Sequence, residues 1–256
     1  MLDAKSLTKW FGAIRAVSDV TFTVAAGEVL GYLGPNGSGK TTTVGMLTGL
    51  IEPSGGAVFF QGVDISADLV DYRRHVGYVP EEPHLYPYLS GAEYLQLVAD
   101  LRDIDARISR KRIAALLELF GLDHQAQAAL SSYSKGMRQK VLLSAALLHN
   151  PSLLVFDEPV SGLDATSALV FRHLLEELAR AGKAVLYCSH ELDAVEKTCS
   201  RVLVLHHGRV VAHDTVERLR DALSERSLEA VFQQLVCEID PARTARDLVS
   251  SMSLGA

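Results

Sequence analysis

Eight consecutive residues carry the clearest chemistry in the 256-residue chain: Gly34-Pro35-Asn36-Gly37-Ser38-Gly39-Lys40-Thr41, followed by Thr42 and Thr43. Their spacing is G-x-x-x-x-G-K-[ST], the pattern of a phosphate-binding loop. Glycines at 34, 37 and 39 allow a tight turn and let successive backbone N–H groups converge on one point. A helix beginning at Lys40 would aim its positive end at the same point. Lys40 adds a mobile charge suited to β and γ phosphates, and the Thr41 hydroxyl suits Mg²⁺. Gly34 to Thr42 are therefore the expected contacts to a nucleoside triphosphate.

Three further segments have chemical potential. Asp157-Glu158 directly follows the apolar run Leu153-Leu154-Val155-Phe156. An acidic residue at a strand's end can hold Mg²⁺ through its water shell, and the carboxylate beside it can polarise an attacking water. Ser189-His190 follows another apolar run, Ala184 to Cys188. If the two runs are neighbouring parallel strands, their ends share one rim and His190 approaches the γ-phosphate. In Tyr133-Ser134-Lys135-Gly136-Met137-Arg138-Gln139, Ser134 is placed to cap a helix whose first N–H groups would form an anion site.

The elements that must position these groups alternate in type. Residues 2–33 read as β-rich, with alternation over Val20-Thr21-Phe22-Thr23-Val24 and a short strand over residues 28–33. Trp10-Phe11 in this region reads first as core packing, with stacking on a purine base as the other use. A helix is expected from Lys40 to Leu50, then strands at Ala57–Phe60 and Val76–Val79. From about Glu82 to Asn150 the texture becomes helical. Ser90-Gly91-Ala92-Glu93 has capping-box spacing, and Tyr94, Leu97, Val98 and Leu101 are expected on one buried face. Ile113, Leu116, Leu117 and Phe120 form a second stripe, which Gly121 would end. The α/β texture then returns. It includes a helix through Phe171, Leu174, Leu175 and Leu178, a strand at Val202–Leu205 and a His206-His207-Gly208-Arg209 turn. A last amphipathic helix carries Leu228, Val231, Phe232 and Leu235. Cys237–Ala256 has little periodicity and reads as a partly mobile tail.

Composition sets the outer limits. The chain is 48% hydrophobic and 22% charged with net charge −6, ordinary for a globular chain and unfavourable to a nucleic-acid partner. Cys188, Cys199 and Cys237 are too few and too scattered for a metal site, and an odd number does not make a disulfide framework. Reduced thiols in a cytoplasm are the expectation. Met1 to Lys5 lacks the apolar stretch of a signal peptide, and no segment reaches the roughly 18 apolar residues of a membrane span. Any membrane role would run through a partner.

Together these segments resemble the ATP-binding-cassette (ABC) family over residues 2 to about 236. Five of them occur in that family's order. They are residues 34–41, the signature at 133–137, Leu153 to Glu158, the loop Ser161-Gly162-Leu163-Asp164, and Ser189-His190. The resemblance implies an α/β fold: a P-loop NTPase (RecA-like) core with an N-terminal antiparallel β subdomain and an α-helical subdomain inserted at about 82–150. One ATPase domain would span 1–236. It implies ATP and Mg²⁺ as cofactors and a head-to-tail dimer with a second copy or a homologous cassette. In such a dimer Ser134 and Gly136 contact the γ-phosphate across the interface, to which Asp164 contributes. Phe11 matches the aromatic that stacks on adenine, Glu158 the catalytic base, and His190 the residue that contacts γ-phosphate.

The sequence departs from the family pattern in two places. Tyr133 and Lys135 stand where leucine and glycine are commonest, and Glu81 follows Tyr78-Val79-Pro80 where glutamine is usual. A carboxylate at 81 can still serve Mg²⁺ with Thr41 and Asp157, since hard cations take oxygen donors. The segments Pro80–Pro83, Leu85–Pro87 and Ser227–Phe232 resemble the stand-alone ATPase subunits of export-type or multidrug-type transporters. The partner implied is a separate integral membrane permease, with the chain peripheral on the inner face of the membrane. Two rival classes are a cassette ATPase of translation or DNA maintenance and a small-molecule kinase. The first usually carries two cassettes or a long coiled coil. The second would not need Ser134–Gly136.

Overall fold

Alternation and continuous apolar runs sort the strands into two sheets. The computed structural model describes residues 1–82 and 84–236, together with Thr244, Arg246, Asp247, Ser250 and Met252, which are helical. The expectation of a mobile tail otherwise lies outside the described residues. β1 (Leu2–Phe11) and β2 (Ile14–Val24) form a hairpin, and β3 (Val29–Leu33) leads through the glycine loop into α1 (Lys40–Leu47). β4 (Gly55–Phe60), β5 (Val63–Asp64), α2 (Leu69–Arg74) and β6 (Val76–Val79) follow. α3 (Gly91–Leu101), α4 (Ala106–Leu119) and α5 (Lys135–Leu147) stand between β6 and β7 (Leu153–Asp157). The remainder is α6 (Ala165–Arg180), β8 (Ala184–Cys188), α7 (Leu192–Thr198), β9 (Arg201–His206), β10 (Arg209–Thr215), α8 (Val216–Leu223) and α9 (Leu228–Val236).

The smaller sheet is antiparallel, in the order β2-β1-β4-β5. In β2 the residues Val20, Phe22 and Val24 are buried while Thr21 and Thr23 are exposed, as a one-sided strand requires. The larger sheet runs β10-β9-β3-β8-β7-β6 and is parallel except for β10. Its central strands β3, β7 and β8 are buried at every position, which explains their unbroken apolar runs.

Successive residues of these strands serve opposite faces. Leu153, Val155, Leu186 and Cys188 pack with Leu2, Phe22 and Val58 beneath the smaller sheet. Leu154, Phe156, Val185 and Tyr187 pack with Phe171 and Leu175 of α6, Val195 of α7 and Leu228 and Val231 of α9. A third cluster joins Leu95, Ala99, Ile113, Leu117, Tyr133 and Val141 among α3, α4 and α5. Arg102, at the end of α3, fastens that block to the core by donating to the carbonyls of Arg73 and Val76.

The structure corrects several expectations. α1 ends at Leu47, three residues early, because Thr48 and Gly49 turn the chain and Gly49 takes a positive φ of 69°. The buried face of α3 centres on Leu95 and Ala99; of the expected stripe Tyr94 and Val98 pack against that core, while Leu97 does not join it and Leu101 is exposed at the helix end. Trp10 and Phe11 are not core. They are 46% and 49% exposed at the hairpin tip, under the cations of Arg15 and Lys9. The capping box at Ser90 and Glu93 forms as its spacing requires.

Candidate nucleotide-binding site

The C-terminal ends of β3, β6, β7 and β8 open on one rim, where a parallel sheet places its ligand crevice. A cavity of about 690 Å³ lies there, lined by the glycine loop, Thr41, Thr42, Glu81, Asp157, Glu158, Ser189 and His190. Segments far apart in sequence, from the glycine loop to His190, thus meet at one wall.

Two glycines fix the loop. Gly37 and Gly39 have φ of 78° and 103°, a region that side chains disfavour. A Cβ on Gly39 would lie 2.6 Å from the Ala16 carbonyl of β2, so the smaller sheet also presses on the loop. The β9–β10 turn braces the other side: Gly208 N–H donates to the Ser38 carbonyl at 2.8 Å, and the Gly208 carbonyl accepts from Ser18 N–H at 2.8 Å. Lys40 folds back, donating from Nζ to the carbonyls of Gly34 (2.5 Å) and Pro35 (3.2 Å).

The acidic wall is electrostatically uncomfortable. Asp157 is 2% exposed, and its Oδ2 is buried with no hydrogen-bond partner. Burial, then the charges of Glu81 and Glu158, push its carboxyl up to about 6, with Lys40 opposing. Glu158 is also buried and has a left-handed backbone (φ 50°) held by its N–H on the Cys188 carbonyl at 3.0 Å. Strained residues of this kind gather at functional sites. Its Oε2 lies 2.8 Å from Nδ1 of the exposed His190 ring, without the alignment of a hydrogen bond.

Ser134, Gly136 and Asp164 form a separate group, and none of them lines this cavity. Ser134 caps α5, its Oγ accepting from Met137 N–H at 3.2 Å. A Cβ on Gly136 would meet the Gly162 carbonyl at 2.5 Å, which brings the signature against the 161–164 loop. Lys135 Nζ donates to Ser161 Oγ at 2.8 Å, so its charge is engaged locally. Asp164 caps α6, accepting from Ser167 N–H (2.9 Å) and Oγ (2.6 Å), which holds its carboxyl at about 2. Tyr133 is buried, its hydroxyl donating to the Gln125 carbonyl at 2.5 Å in space left by Gly91. That departure from the family pattern is a packing solution.

Phe11 also lies outside the lining of the cavity. Ala16, Leu192 and Phe232 line it without having been singled out by the sequence. Phe232 was visible as one member of an amphipathic stripe and as the end of the Ser227–Phe232 segment, and nothing local to it or to Ala16 signals a ligand. The rings of His206 and His207 stack with centroids 4.1 Å apart. Among the described residues no group of three or more His, Cys, Asp or Glu is arranged to hold a metal.

The fold and rim are those of a P-loop NTPase cassette. Residues 17–161 match the profile of the ABC transporter family, to which the chain belongs. It is 35% identical over 220 residues to the ABC transporter ATP-binding protein NatA of Bacillus subtilis (strain 168), covering 86% of this chain and 89% of that one. It is 32% identical over 242 residues to the linearmycin resistance ATP-binding protein LnrL of the same organism, covering 94% and 77%. A solved ATP-binding cassette, a dimer in a post-hydrolysis state bound to ADP and Pi, superposes with a TM-score of 0.78 at 26% identity, covering 84% of this chain and 98% of that one. The chain is therefore an ATP-binding subunit of an ABC transporter, from a family of ATP-hydrolysing cassettes. No helix among the described residues is long and apolar enough to cross a membrane.

Proposed function

We propose that the chain hydrolyses ATP to drive a separate membrane permease, in the direction of export, from the inner face of the membrane. The observation that carries the catalytic part is the convergence of Lys40, Asp157, Glu158 and His190 on one cavity. The name of the linearmycin-resistance relative supports export.

ATP lies with its phosphates on the N–H groups of residues 36–42, and adenine reaches toward Phe11. Lys40 exchanges the carbonyls of Gly34 and Pro35 for β- and γ-phosphate oxygens. Glu158 accepts the proton of the attacking water as that water adds to the γ-phosphorus, and ADP leaves. His190, beside Glu158, orients that carboxylate and the γ-phosphate. Thr41, Asp157 and Glu81 fit Mg²⁺: they offer oxygen donors, and the orphaned Oδ2 of Asp157 lacks any other partner. Bound there, Mg²⁺ would neutralise charge between the β- and γ-phosphates. Ser134, Gly136 and Asp164 act on the ATP of a second cassette, which accounts for their position outside this chain's own cavity. The dimeric solved relative supports that assembly. Loss of the γ-phosphate removes contacts bridging the two cassettes, so they part and reset the permease.

Glu158→Gln tests the reading. ATP binding should persist and hydrolysis should fall at least a hundredfold, within the range for a general base. Hydrolysis near the wild-type rate would remove Glu158 from the role.

A further inference from the structure

The C-terminal helices reach the nucleotide cavity through side chains to which the ATPase mechanism assigns no task. Glu196 of α7 is the hub. One carboxylate oxygen lies 3.2 Å from Nη1 of Arg220 on α8, and the other accepts from the Leu228 N–H at 3.1 Å. Leu228 opens α9, and the first N–H groups of a helix have no partner within it. A carboxylate at that end also meets the helix's positive pole. Ser227 satisfies a second such group, accepting from Ala230 N–H at 3.2 Å. Leu228 and Val231 are fully buried beneath, so packing and polar contacts hold α9 in one place.

This placement matters at the cavity. Phe232 of α9 lines the same cavity as Lys40, Asp157, Glu158 and His190, and so does Leu192, the first residue of α7. Leu192 is two residues beyond His190. The segment carrying His190 therefore runs straight into the helix that Glu196 fastens to α8 and α9. In a close-packed wall, a large aromatic group restricts where its neighbours can go.

We infer that Phe232 and Glu196 are positioning residues for ATP hydrolysis: Glu196 clips α9 to α7, and Phe232 holds the His190 segment in register with the cavity. The inference rests on the roles given above to Glu158 and His190. It makes α9 a working part of the hydrolysis site, on which a load applied to the C-terminal helices would act.

The test is steady-state ATP hydrolysis, with binding of a fluorescent ATP analogue, by the full chain. Phe232→Ala should lower kcat about five- to tenfold while KM and analogue affinity stay within about twofold, since the phosphate loop is untouched. Phe232→Leu should recover most of the loss, and Glu196→Gln should share it in smaller measure. In a His190→Ala background Phe232→Ala should add little, because residues that act as a unit are not additive. An unchanged kcat in Phe232→Ala, a fully multiplicative loss in the double variant, or an effect confined to KM would each overturn the inference. If Phe232→Ala does not fold, a smaller kcat loss of at least about twofold at unchanged KM, non-additive with His190→Ala, is required of Glu196→Gln. Full activity in His190→Ala would instead sink the underlying reading of the site. A slow His190→Ala beside unaffected Phe232 and Glu196 variants would sink this inference alone.

Discussion

Replacing Asp157 by asparagine should stabilise the nucleotide-free protein, although it removes a proposed metal ligand. The carboxyl rises from an ordinary 3.8 to about 6 on folding, because burial and then Glu81 and Glu158 disfavour its charge. The native state therefore holds its proton more tightly than the unfolded state, and stability falls as pH rises through the interval between those values. With ~1.4 kcal/mol for each pH unit, the ionised carboxylate costs about 3 kcal/mol at pH 7.5, where both states are charged. At pH 5 the native group is mostly protonated, and the cost falls to about 2 kcal/mol. Asparagine is neutral throughout but brings an N–H group that needs a partner, which offsets a pH-independent part of the gain. The pH-dependent part is cleaner: the stability gap between variant and wild type should narrow by roughly 1 kcal/mol from pH 7.5 to pH 5. Urea unfolding in EDTA at several pH values measures it. A gap that stays constant, or widens as pH falls, would refute the assignment of a desolvated, unpaired carboxylate. Adding ATP and Mg²⁺ should reverse the order, since wild type then gains ligand contacts that the variant lacks.

Two further substitutions probe the frame around the site. Gly39→Ala should destabilise by at least ~2 kcal/mol and weaken nucleotide binding, because φ is 103° and the new methyl meets the Ala16 carbonyl at 2.6 Å. Wild-type stability in denaturant unfolding would mean that the loop does not need glycine there. Phe171→Ala should cost about 3–5 kcal/mol with an unchanged denaturant m-value. The ring is 1% exposed and packs edge-on against Phe156 at 5.2 Å, beneath the strand that presents Asp157.

What the sequence reveals depends on how local the physics is. The phosphate loop is legible because all its requirements lie within eight residues. Asp157, Glu158 and His190 are legible at one remove. Fully apolar runs identify parallel strands, and parallel strands bring their ends together. The face of α3 is not legible in this way. Tyr94-Leu95-Gln96-Leu97-Val98-Ala99 offers two overlapping apolar stripes, and only the positions of α4 and α5 choose Leu95 and Ala99. Trp10 and Phe11 mislead for a similar reason, since alternation in β1 does not say that its last residues run on beyond the pairing with β4, which ends at Thr8. β5, α2 and α7 span two, six and seven residues, too short for a period to declare itself. Phe232 and Ala16 reach the cavity from opposite ends of the chain, and no local pattern encodes a meeting of that kind.

The two chemical surfaces of the chain differ in how far their polar groups are already satisfied. In the signature group Ser134 caps its own helix, Asp164 caps another, and Lys135 is bonded to Ser161. Those contacts fix geometry and leave little unmet demand. Around the cavity the balance is opposite: Asp157 Oδ2 and Glu158 Oε2 are buried without hydrogen-bond partners, and Lys40 is held by backbone carbonyls rather than by a carboxylate. Unmet electrostatic demand is what a charged nucleotide and its cation can satisfy. A chain built this way is expected to gain most of its binding energy at its own phosphate loop. The signature would then serve as a preformed surface for the second cassette's nucleotide, closing with little rearrangement of its own.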